Sequence, residues 1–193
     1  MKKTIIRSQH DLINYFNDES LRMKKNSFLS FQESLELGSN ITFDGKINFG
    51  KNNKIETNCN IKDSKLGDNN IVKPSSIIQN SIIFDNVIIG PFAFIRENTN
   101  INKNCIIGAY VEITRSKISK NTYASHRTFI GDSNIGENVI IGAGVVFCNF
   151  SFKTNKKEKT TIGKNCKIGS NSVLIAPTKM KDNTTIPALT KYK

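Results

Sequence analysis

Tryptophan is absent from the 193 residues, histidine occurs twice and proline four times. No stretch approaches the ~18 consecutive apolar residues of a membrane-spanning helix, and none is expected. Met1 to Ile6 offers two lysines and a brief apolar pair, but His10 and Asp11 interrupt it before a signal-peptide core forms, so a cytoplasmic protein is expected. The four cysteines, Cys59, Cys105, Cys148 and Cys166, form no CxxC pair and lie at no metal-ligand spacing from a histidine. No metal site and no redox motif is predicted, and the thiols read as reduced.

Charge is abundant and one-sided: 28 Lys and Arg against 16 Asp and Glu, a formal net charge of +12. The lysines are scattered singly among asparagines, and the aromatics are not interleaved with them as a nucleic-acid platform requires. The expected partners of this surface are anionic small molecules, with neither nucleic acid nor membrane among them. At this length one main domain is expected.

What the sequence has in quantity is isoleucine at a period of about six. An aliphatic or aromatic residue recurs from Leu37 through Phe43, Phe49, Ile55 and Ile61, then Leu66, Ile71, Ile77, Ile83, Ile89 and onward to Ile141. It resumes at Ile162 and runs through Ile168, Leu174 and Met180 to Ile186. Glycine often follows this position, and the fifth position is small or β-branched, as at Val87, Ala93, Cys105, Thr122, Val139 and Cys166. Four steps are one residue short, which tightens some corners. A helix needs a spacing near 3.6 and an open antiparallel sheet needs strict alternation; neither fits.

Six residues suit a short strand and a tight turn, and three such units close a triangular coil whose large side chains stack on those of its neighbours. The fold class predicted is all-β: a left-handed parallel β-helix of hexapeptide repeats, about eight coils over residues 37–193, with residues 1–36 as an N-terminal helical cap. Ser8 and Asp11 resemble a capping box and Leu12, Ile13 and Phe16 give an apolar stripe, so a short helix is predicted over residues 8–17. It would cover the open edges of the first coil. Cys59, Cys105 and Cys166 occupy the fifth position and are predicted to be buried core thiols.

The rhythm stops between Phe147 and Thr161, where lysines and two phenylalanines replace the hexads. This reads as a loop insertion on a rigid scaffold, a common place for function. His126 lies at the third hexad position, a turn or outward site, one full coil upstream of the loop's root, and is expected to share a cleft with it. Two histidines cannot supply a three-histidine zinc site of the kind found in carbonic anhydrases on such a fold.

From Gly90 to Ala188 the text closely resembles the acetyltransferase half of the bifunctional bacterial enzymes that acetylate glucosamine-1-phosphate and then uridylylate it. The resemblance rests on Gly90-Pro91-Phe92-Ala93 with Arg96, Val111-Glu112, Ser125 to Asp132, Ile135 to Val139, Ile141 to Gly144, Cys148-Asn149, Lys157 to Gly163, Gly169-Ser170 and Ala176-Pro177. It implies an acetyl-CoA-dependent N-acetyltransferase with acetyl-CoA as co-substrate, no metal required, and a homotrimer in which the 147–161 loop reaches a neighbour. His126 would be the general base and Asn149 would position the reactants. Ala143, Asn149, Phe150, Ser170 and Ala188 would lie along the cofactor, and Arg96 and Lys157 would hold the acceptor's phosphate.

The residue types suit that chemistry. An amine must lose a proton to attack a thioester, which imidazole can accept near neutral pH, and a fixed N–H can stabilise the oxyanion. Thr114, Phe129, Ile140 and Phe150 depart from the family's lysine, tyrosine, asparagine and tyrosine, so the acceptor contacts at Thr114, Phe129 and Ile140 are expected to be less polar. The acceptor could be glucosamine-1-phosphate, a nucleotide-linked amino sugar, or another amino sugar of surface-glycan synthesis. A non-catalytic β-helix that binds sugar nucleotides, or scaffolds a separate nucleotidyltransferase, is the alternative. Nothing before Leu37 offers a phosphate-binding loop, and uridylyl transfer is not expected of this chain.

Overall fold

The computed structural model describes residues 4–6, 11, 21–23 and 28–193. Its strands form three long faces: A with ten strands, B with ten and C with nine. Successive strands visit B, C and A in turn, and within each face every strand pairs in parallel with the one a coil earlier, apart from one antiparallel strand at the start of face A. The result is a left-handed parallel β-helix of about nine turns. Among the described residues no helix is long and apolar enough to cross a membrane.

The hexad explains the coil. One large residue per face points inward, and the stack of Ile61, Ile78, Ile95, Ile113 and Ile130 on face B is fully buried. Truncating one such side chain to Ala costs about 2–5 kcal/mol, because the coils above and below hold the space open. The fifth position sits inside a corner, where Val87, Ala93, Cys105, Thr122 and Val139 are buried. Cys59, Cys105 and Cys166 are buried there as predicted. Burial pushes the Cys59 and Cys105 thiols up to about 11, so they carry no thiolate chemistry near neutral pH.

The corners need a left-handed backbone, which asparagine tolerates best after glycine. At the corner between faces C and A, Asn104, Asn121, Asn138, Asn165 and Asn183 all have positive φ. Each donates from Nδ2 to the Oδ1 of the next, at 2.9–3.2 Å.

Three details differ from the sequence reading, and one predicted element lies outside the described residues. Strands Leu21–Met23 and Phe28–Ser30 already pair in parallel with the walls of faces B and C, so the β-helix begins upstream of the predicted boundary at residue 37. The predicted helix over 8–17 lies, apart from Asp11, outside the described residues. The first edge of face A is covered by a strand, Thr4–Ile6, antiparallel to Leu35–Leu37. On two successive strands the inward residues are Val72 and Ile78, not Ile71 and Ile77, because the second tightened corner falls at residues 78–83 rather than at 66–71.

The insertion is also shorter than 147–161. Phe147 is buried in strand Val146–Cys148 of face B, and Thr160 begins strand Thr160–Ile162 of face C. Only 149–159 leaves the wall. It forms a small hairpin in which Phe150–Ser151 pairs with Lys156–Lys157.

Candidate functional site between two edges of face B

His126 ends strand Tyr123–His126 of face A and stands, exposed, at the corner where the chain turns toward face B. Its carbonyl accepts the Gly144 N–H at 3.2 Å and the Thr128 hydroxyl at 2.9 Å. These bonds fix the backbone, and the imidazole has no hydrogen-bond partner among the described residues.

Register carries this position straight along the edge. Tyr123 pairs with Ile140 and Ala124 with Ile141, Ile141 pairs with Ile168, and Ile168 with Ile186. Counting two residues on, His126, Ala143, Ser170 and Ala188 form one column. Coils stack about 4.8 Å apart, so the column runs roughly 14 Å from His126 to Ala188. Neighbours approach closely here: a Cβ on Gly142 would stand 2.6 Å from the Ser170 nitrogen. The flanking amides of Gly142 and Gly144 bond to adjacent coils, but the Ala143 N–H has no acceptor among the described residues and is free for a ligand. Phe129, half-buried on face B, and Ile140, exposed on face A, flank this edge.

The second group of predicted residues lies on the opposite edge, where face B turns to face C. Arg96, Thr114 and Gly131 are in register, and Glu97, Arg115 and Asp132 follow them at left-handed corners. Arg115 grips Asp132 with a fork, Nε to Oδ1 at 2.7 Å and Nη2 to Oδ2 at 2.9 Å, and also donates to Glu97 and Thr114. Asn149 donates from Nδ2 to Asp132. Gly131 leaves room for this, since a Cβ there would come 2.5 Å from the Asn149 amide and 2.8 Å from the Phe129 ring. Phe150 and Phe152, in edge-to-face contact, and Lys157 project from the same corner, all exposed.

Two predicted contacts are occupied within the chain. Arg96 donates to Glu112 from Nη2 at 2.6 Å and Nε at 3.1 Å, and from Nη1 to Glu97. Thr114 is buried and its hydroxyl bonds Glu97 at 3.1 Å. The Glu97, Arg115 and Asp132 corners stack because one coil separates them, a link that the search for outward residues missed. The alternation of acid and base 17 or 18 residues apart was its available signal.

Within one chain His126 and the root of the loop thus lie at opposite edges of face B. One coil does separate His126 from Gly144, but the loop leaves from the next corner, across face B. Asn149 touches Asp132, six residues beyond His126 and past the left-handed corner at Arg127, so the two edges lie at most roughly 20 Å apart. The one groove described, of about 570 Å³ and lined by Lys46, Asp63, Lys65, Asn80, Ile82 and Asn98, lies several coils nearer the N-terminus and contains none of the predicted site residues.

Burial pushes the Asp132 carboxyl up, but bonds from Arg115 and Asn149 and the nearby Lys157 charge outweigh it and hold the group below its ordinary 3.8. A carboxyl depressed in the folded state stabilises the fold above its unfolded pKa, and that contribution disappears as pH falls through the folded value. Asp132→Asn is therefore expected to destabilise the protein by about 2 kcal/mol at pH 7, between the exposed and buried ion-pair ranges. In acid the two proteins converge. Melting curves from pH 7 to 2 check this; a constant difference would show that charge at Asp132 is not involved.

The family description "Bacterial transferase hexapeptide (six repeats)" matches residues 80–115. Over 159 residues, 82% of the chain, the sequence is 42% identical to the Bifunctional protein GlmU of Ruthia magnifica subsp. Calyptogena magnifica. The chain carries the hexapeptide repeat. This hexapeptide-repeat chain is also 48% identical, over 77% of its length, to the Bifunctional protein GlmU of Psychrobacter sp. (strain PRwf-1). It spans about a third of the length of these curated relatives, 35% and 32%. Among solved structures, a UDP-N-acetylglucosamine acyltransferase from Campylobacter jejuni aligns with a TM-score of 0.43 and 14% identity, over 89% of this chain and 67% of that one.

Proposed function

We propose that the chain is an acetyl-CoA-dependent N-acetyltransferase acting on an amino sugar, glucosamine-1-phosphate or a related phosphorylated or nucleotide-linked sugar, as a homotrimer with each site between two copies. The observation that carries this reading is the single column of His126, Ala143, Ser170 and Ala188, which sets an exposed imidazole at one end of a straight track along which the arm of a thioester cofactor can lie.

In this reading the acetyl-CoA sulfur sits near Ala143 and the rest of the cofactor runs along Ser170 toward Ala188. His126 takes a proton from the acceptor's ammonium, or from the amine as it attacks. The free Ala143 N–H then meets the thioester oxygen as charge develops on it, which lowers the barrier because the dipole is already in place. Collapse of the adduct expels the CoA thiolate, which leaves as thiol after protonation.

The other edge belongs to the neighbour. A patch that differs from the patch it must meet is the mark of a head-to-tail interface, and a three-fold rotation closes such a ring. The 149–159 hairpin offers Asn149, Lys157 and the exposed rings of Phe150 and Phe152, which would be covered on docking beside the partner's His126. Phe129 and Ile140 make the acceptor side apolar where a hydroxyl or amide would bind sugar oxygens.

Thiol release from acetyl-CoA, measured with a panel of amino sugars and their phosphates, tests the function. Release that depends on the amine, with the acetylated product seen by mass, is the expected result. A protein that binds sugar nucleotides but releases no thiol with any amine would establish the non-catalytic alternative.

A further inference from the structure

The residue after His126 has no role in the reading so far. Arg127 is exposed, lies at a left-handed corner with φ of +43°, and has no hydrogen-bond or ion-pair partner among the described residues. Arg96 and Arg115 differ from it sharply, since carboxylates hold both. Elsewhere on this edge the same left-handed corner is filled by Asn40, Asn58 and Asn171, which suit that backbone better than arginine, and by Ser75, Phe92, Tyr110 and Leu189, none of them charged.

Among the described residues no carboxylate pairs with it. One coil toward the N-terminus stands Tyr110, stacked on Phe92 with ring centroids 5.0 Å apart, and one coil beyond is Gly144. A permanent cation one residue from the proposed base, with no carboxylate partner among the described residues, is suited to an anion bound in the site.

The donor does not supply that anion. With its sulfur near Ala143 and its body running toward Ala188, its phosphates lie at the far end of the column. We infer that Arg127 binds the anionic group of the acceptor, a phosphate or carboxylate within one or two carbons of the reacting amine, and so sets acceptor choice. This rests on the acetyltransferase reading. The charge that selects the acceptor then comes from the same chain as the base, while Arg96 keeps its two carboxylates.

The test uses the full chain with glucosamine 1-phosphate, muramic acid and uncharged glucosamine as acceptors, which separates phosphate from carboxylate from no charge. Arg127→Asn is expected to raise KM for the anionic acceptor that the wild type uses by about 10- to 100-fold, the scale of a lost charge-assisted bond. The kcat, the KM for acetyl-CoA and the use of glucosamine stay within about three-fold, far below that loss. Arg127→Lys falls between. Because asparagine fits the corner, the Asn variant melts no lower than wild type and stays trimeric, which a structural arginine would not allow.

An active wild type whose anionic-acceptor KM ignores Arg127→Asn overturns the inference, as does a variant that loses its assembly while its acceptor preference is intact. If the wild type acetylates none of the amines, the enzyme reading fails instead. Calorimetric titration with glucosamine 1-phosphate then decides the inference alone: weaker binding to the Asn variant upholds it, and equal binding or none overturns it.

Discussion

His126→Ala lowers turnover by about a hundred- to ten-thousand-fold, the range for loss of a general base. The melting temperature barely changes, because the imidazole is exposed, makes no hydrogen bond within the described chain and leaves the carbonyl contacts of residue 126 in place. Surface substitutions of this kind shift stability by about 0.5 kcal/mol or less. His10→Ala leaves activity intact, so the pair of variants separates the two histidines. Steady-state rates and melting curves on the same preparations measure both effects. Full activity in His126→Ala removes the base assignment, and an unfolded variant assigns the residue a packing role.

The solenoid was legible because its signal repeats. One inward aliphatic per hexad is written more than twenty times, so a local error, such as Ile71 and Ile77 for Val72 and Ile78, does not disturb the architecture. The first coil was missed for the opposite reason. Leu21–Met23 and Phe28–Ser30 pair with the walls of faces B and C through their backbones; Leu29 keeps the hexad, six residues before Leu35, but Leu21–Met23 lies 20 residues before its partner strand, longer than the 17 or 18 of most later coils, which breaks the rhythm at the start.

The site was half legible. His126, Ala143, Ser170 and Ala188 fall on one column because their separations of 17, 27 and 18 residues are each one coil, the middle one lengthened by the loop. Counting coils could not show that the loop leaves from the next corner. Distance around a prism depends on which face a residue follows as well as on how many hexads lie between. Nor could counting show that Arg96 and Thr114 are spent on Glu97 and Glu112, since those partners depend on which side chains project from the same edge.

That separation of two edges leads to the largest recovery expected of any experiment on this protein. His126→Ala and Asn149→Ala are each expected to be nearly inactive alone, the first lacking the base and the second the amide that orders the opposite half-site. Unfolded together and refolded as an equal mixture, they should regain activity. Each site takes its His126 edge from one copy and its Asn149 edge from the next, so with random assembly about one site in four combines two intact edges. Recovery to about a quarter of the wild-type rate, against a background at least a hundred-fold lower for either variant, is the expected result. Sedimentation of the mixture as a trimer must accompany it. If both edges of a site came from the same chain, every site in the mixture would carry one defect and mixing would restore nothing, whatever the oligomer. A mixture that is trimeric and as inactive as its parents therefore overturns the shared site without touching the fold.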